Sequence, residues 1–75
     1  MLRYSELTPA QKKLFDAMRN GHVLRYESGQ YLLAEGNHDW KVRVDTAYTL
    51  ERRGYIKKCY WDNERTQFCV NVEVV

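Results

Sequence analysis

The chain has 75 residues, 12 of them lysine or arginine and 10 aspartate or glutamate, for a net charge of +2. That length fits one domain over residues 1–75 with a small core, and 44% hydrophobic with 13% aromatic residues excludes the apolar-poor composition of disordered chains. A sequence pI near 8.6 falls short of the value above about 9 that marks a nucleic-acid-binding domain, so a DNA partner would require the cations to gather on one face.

No apolar run reaches the roughly 18 to 20 residues needed to cross a bilayer. The start, MLRYSELTPAQ, lacks the apolar segment of a signal peptide. The expectation is a cytoplasmic protein without a membrane partner, whose two cysteines stay reduced.

Thr8-Pro9-Ala10-Gln11 reads as a helix start. Thr8 suits the cap, Pro9 the first helical position, and Gln11 the third position of a capping box. Ala10, Leu14, Ala17 and Met18 then share one face, with Phe15 beside them. Asn20-Gly21 ends the helix, since either residue accepts a left-handed conformation. Two apolar runs follow, Val23 to Tyr26 and Tyr31 to Ala34, on either side of Ser28-Gly29. This predicts a β-hairpin; a helix within residues 22–36 is the other reading.

EGNHD, residues 35–39, is a break, and Asn37 or Asp39 can cap a second helix running from about Asp39 to Arg53. On a helical wheel Trp40, Val44, Ala47, Tyr48 and Leu50 form the apolar arc. Lys41, Asp45, Thr46, Thr49, Arg52 and Arg53 lie opposite, and Gly54 stops the helix. Tyr55 to Trp61 and Thr66 to Val74 predict a second hairpin, in which Phe68, Val70, Val72 and Val74 face a core shared with Ile56 and Tyr60. The order is helix–hairpin–helix–hairpin, an α+β domain.

A helix ending in Leu50, then Glu51-Arg52-Arg53, Gly54 and the apolar pair Tyr55-Ile56, resembles the second half of a winged-helix domain, over Trp40 to Val74. The expected fold is a small winged-helix-like domain with the final hairpin as its wing. Usual winged helices carry another helix before the recognition helix; here that region reads as a hairpin, which is similar to small phage- and prophage-encoded members. The layout is also similar to a bacterial toxin family said to inhibit a topoisomerase. The resemblance implies a DNA-binding transcription regulator, without cofactor or chemistry of its own, that acts as a symmetric dimer on duplex DNA.

On that reading Lys41, Thr46, Thr49, Arg52 and Arg53 contact DNA from the second helix and Lys57 from the base of the wing, with Lys58 beside it. Arginine reads guanine edges and threonine donates to bases or phosphates. A solvated helix face commonly carries the same residues, and Asp45 in its middle repels phosphate. The tip DNERTQ has Asp62 and Glu64 against a single Arg65, whereas a wing on DNA usually presents cations. The alternative is an inhibitor or adaptor that binds a host protein through Tyr26, Tyr31 and Trp61, since Trp and Tyr dominate interface hot spots.

Cys59 and Cys69 flank the last turn. A three-residue loop would set them opposite each other, within reach of a disulfide, and a register shift would separate them. His22 and His38 are far apart in sequence and no Cys-x-x-Cys pair exists, so no metal is expected. Nothing resembles a phosphate loop, a nucleophile elbow or HExxH, and no enzyme is expected.

Overall fold

The computed structural model describes all 75 residues. After a single 3-10 turn at Tyr4–Glu6 come α1 (Pro9–Arg19), β1 (Val23–Glu27), β2 (Gln30–Glu35), β3 (His38–Val42), α2 (Val44–Arg52), β4 (Ile56–Trp61) and β5 (Arg65–Val70). The capping box at α1 forms as its residues dictate. Thr8 Oγ1 accepts from Gln11 N–H at 3.3 Å, and Gln11 Oε1 accepts from Thr8 N–H at 3.0 Å. Ser28 and Gly29 both take positive φ, 52° and 78°, the geometry of a primed hairpin turn that matches the strands' twist.

The five strands form one antiparallel sheet in the order β3-β2-β1-β5-β4. Strand alternation sends Leu24, Tyr31, Leu33, Ile56 and Phe68 to one face. They join Leu7, Leu14, Phe15, Met18, Ala47, Leu50 and Tyr55 in a single core. Both helices therefore cover this inner face, and the opposite face is left open. Rows of paired residues cross all five strands, with one slip in β4. Lys58–Phe68–Leu24–Leu33–Trp40 and Trp61–Thr66–Tyr26–Tyr31–Val42 are inner rows, and Tyr60–Gln67–Arg25–Leu32–Lys41 is an open-face row.

The second helix is shorter than its pattern suggests. His38–Val42 is a strand, and α2 begins at Val44, capped by the backbone of Arg43; neither Asn37 nor Asp39 caps it. Gly36, at φ 64°, makes Gly36-Asn37 a two-residue turn that reverses the chain onto β2. Trp40, Val42 and Val44 fit a period of two as well as Trp40, Val44 and Ala47 fit a helix, and pairing with β2 decides between them. The helix–hairpin–helix–hairpin order thus gains a third strand before α2. At the other end β5 stops at Val70, and Val72 is exposed while Val74 packs against the core.

The second hairpin also departs from strict alternation. Ile56 is buried, but the register slips between Lys58 and Tyr60, leaving Cys59 as a bulge and sending Tyr60 to the open face. Cys69 pairs with Lys57 rather than Cys59, and both cysteines are free. The chain ends tie the fold together: Tyr4 N–H donates to Val75 O at 2.7 Å and Val75 N–H to Leu2 O at 3.0 Å.

Candidate binding surface

Helix α2 is short, and Ala47 and Leu50 pin one side of it to the core. Residues three and four apart share a face, so the outward stripe holds Asp45, Tyr48 and Arg52, with Thr49 at its flank. Asp45 belongs partly to the helix itself. Its carboxylate accepts from Arg43 Nε at 3.1 Å and from Thr46 N–H at 3.0 Å, next to the positive end of the helix dipole. These bonds, led by Arg43, hold its pKa below the ordinary carboxylate value.

The cations of this surface differ in their freedom. Arg43 is engaged by Asp45. Arg53 caps the end of α2, lies 3.8 Å from Glu6 and stacks 5.2 Å from the Tyr55 ring centre. Arg52 is exposed and belongs to none of the five ion pairs in the molecule, which involve Arg19, Arg25, Arg43 and Arg53. Thr46 is half-buried at the rim of a groove that α1 forms with β2 and β3.

Two expected members of the set lie elsewhere. Lys41 is on β3, not on a helix, and its pairing opposite Leu32 puts it in the open-face row. Lys57 precedes the bulge and pairs with Cys69, again on the open face. Neither shares a side of the sheet with α2. Lys58, one residue on, pairs with the core residue Phe68 and does share it, as does Trp61, 65% exposed.

Tyr26 is exposed on the same face, its ring centre 4.8 Å from Tyr31. Tyr31 itself is buried against Tyr26 and Phe68. It therefore supports this surface from below rather than offering contacts. Burial, reinforced by Glu51, pushes its hydroxyl pKa up.

The acidic tip of the second hairpin has a structural occupation. Asp62 Oδ1 accepts from the backbone N–H of Glu64 at 2.8 Å and of Arg65 at 2.9 Å, and Oδ2 from the Tyr60 hydroxyl at 3.1 Å. Its pKa is lowered accordingly, first by the two backbone donors. No group of three or more His, Cys, Asp or Glu is arranged to hold a metal, and no helix is long and apolar enough to cross a membrane.

Tyr48, Arg43 and Trp40 are surface residues that the sequence pattern does not mark as such. Tyr48 and Trp40 fall on the apolar arc of the wheel, which is the signal for burial, yet both are more than half exposed. The fold and surface define an α+β domain whose exposed features are a short helix and a terminal hairpin. No protein-family model, curated protein or solved structure matches the chain.

Proposed function

We propose that the chain is a small DNA-binding regulator of winged-helix type, with α2 entering the major groove and β4–β5 serving as the wing. The observation that carries this reading is Arg52: a solvent-facing arginine with no acidic partner, beside Thr49, on the helix that runs straight into the terminal hairpin. Lys58 and Trp61 lie on the α2 side of that hairpin, suited to a phosphate and to the sugar edge of the backbone. Lys41 and Lys57, on the open face, leave the contact set. The hairpin β1–β2 followed by β3 stands where a usual winged helix has its second helix. The protein acts by occupying a DNA site, as a phage- or mobile-element-type regulator does, with no chemistry of its own.

Titration against nonspecific duplex DNA, from about 50 mM to about 200 mM salt, tests this, because phosphate neutralisation makes even nonspecific binding salt-dependent. Arg52→Ala is expected to weaken binding about uniformly across sequences and to lower the salt slope by about one. An unchanged affinity and slope would reject the reading.

A second reading is supported by the exposed aromatics Tyr26, Tyr48 and Trp61 together with the acid Asp45 on the outward stripe of α2. These suit a host-protein partner better than a polyanion. On that reading the chain shows no salt-dependent DNA binding, and Trp61→Ala abolishes capture of the partner while Arg52→Ala leaves it intact.

A further inference from the structure

We propose that β3 is a docking edge for a second copy of the chain, whose own β3 adds antiparallel to it about a two-fold axis centred on Trp40. A symmetric dimer belongs to the winged-helix expectation; the surface is what is new, and it does not depend on DNA binding.

The sheet has two edges, β3 and β4, and they are not alike. β4 carries the bulge at Cys59, which interrupts its ladder, a device by which edge strands avoid pairing. β3 pairs with β2 over five successive residues with no register shift, and it contains no proline. It presents a regular row of unpaired backbone groups.

The phase of that row follows from the turn. Two residues, Gly36 and Asn37, separate β2 from β3, so the flanking residues Glu35 and His38 form a hydrogen-bonded pair. Alternation then turns the backbone N–H and C=O of Trp40 and Val42 toward β2 and those of Asp39 and Lys41 outward. An added strand must bond through Asp39 and Lys41.

Self-pairing with this phase has three possible centres. Centring on Asp39 sets two carboxylates opposite each other, and centring on Lys41 sets two ammonium groups opposite. Centring on Trp40 places Asp39 across from the partner's Lys41, and Lys41 across from the partner's Asp39, each pair exchanging both backbone bonds. Opposite charges directly across strands are favourable and like charges are not, so charge selects Trp40. Lys41 belongs to no ion pair in the chain. Asp39, although bound by Arg25, keeps 45% of its side chain exposed, and its pKa is held low, first by Arg25.

The same centring makes Trp40 and the partner's Trp40 a non-hydrogen-bonded pair, the closer kind. Trp40 is 52% exposed and borders a groove of about 460 Å³ lined by Ala10, Ala17, Leu33 and Val42. Joining the edges brings together both half-exposed indoles, which no other element of the chain covers.

The test is the mass of the full-length chain by sedimentation equilibrium from about 10 µM to about 1 mM, a range suited to a small interface. The expected result is a rise from 9.0 kDa toward twice that mass. Lys41→Asp should weaken association about tenfold or more by setting like charges across both pairs, while its melting transition as a monomer stays in place. Mixing Lys41→Asp chains with Asp39→Lys chains should restore a dimer that neither forms alone. Should Asp39→Lys fail to fold for want of the Arg25 pair, the Lys41→Asp chain decides the matter. A wild-type chain that stays at monomer mass, or a dimer indifferent to Lys41→Asp, would overturn the proposal.

Discussion

Tyr4 opens the 3-10 turn that precedes α1. Its hydroxyl donates to Asp16 Oδ2 at 2.7 Å, and Arg19 Nη2 donates to Asp16 Oδ1 at 2.9 Å. The Tyr4 bond is the first cause holding Asp16 below its ordinary 3.8. The same bond is the first cause holding Tyr4 above its ordinary 10.0. The two shifts act at opposite ends of the pH scale. The Asp16 contribution is complete above about pH 4 and is lost as pH falls through its depressed value. The Tyr4 contribution is complete below about pH 10 and is lost as pH rises through its raised value. Tyr4→Phe is therefore expected to lower Tm at neutral pH and to flatten both flanks of the Tm-versus-pH curve, as thermal melts from pH 2 to 11 would report. Burial sets a larger scale. Leu50 has no exposed surface, and Leu50→Ala should cost about 2–5 kcal/mol and lower Tm by roughly 10 °C or more. Leu50 was legible as a core residue from its wheel position. The Tyr4–Asp16 bond was not, because it joins residues whose spacing carries no pattern.

The exit from α2 rests on Gly54. Its φ of 87° lets its N–H reach Glu51 O at 3.0 Å while Tyr55 N–H bonds Leu50 O at 2.9 Å. A Cβ at Gly54 would meet Leu2 Cδ1 at 3.6 Å, an ordinary contact, so Gly54→Ala should cost only the left-handed backbone, about 1–2 kcal/mol, measured by urea unfolding. Local chemistry of this sort reads well from sequence. The capping box of α1, the Ser28-Gly29 turn and the Gly54 stop are each decided within a few residues. The start of α2 and the Cys59 bulge are not. Residues 39–43 satisfy two periodicities at once, and the partner strand β2 makes the choice. The bulge depends on where β5 lies, and it turns Tyr60 away from the core that its spacing from Ile56 suggested.

At the scale of the molecule, one face of the sheet is covered and the other is not. Arg25, at the middle of the open face, donates to Glu27 and to both carboxylate oxygens of Asp39, and Asp39 is the first cause that raises its pKa. This network sets three charged side chains across the uncovered face, which also carries Val23, Leu32 and Tyr60. The division into two faces sorts the cations as well: Arg52 and Lys58 lie on the helix side, and Lys41 and Lys57 on the other. The salt-dependence test of Arg52 and the charge-exchange test at Lys41 therefore address different sides of the protein. Arg52→Ala should leave self-association unchanged, while Lys41→Asp should leave the intrinsic DNA affinity of each monomer nearly unchanged.

The amino-acid order by itself determined the α+β class, the limits of α1, the first hairpin and most of the apolar positions, because caps, turns and burial periods act over a few neighbours. Only the tertiary structure decided that Asp39–Val42 extends a sheet, that Tyr31 is buried while Tyr48 and Trp40 are not, and that the lysines fall on two sides. Those outcomes depend on which strand lies alongside which, and a pairing across the sheet leaves no trace in the local spacing of either partner.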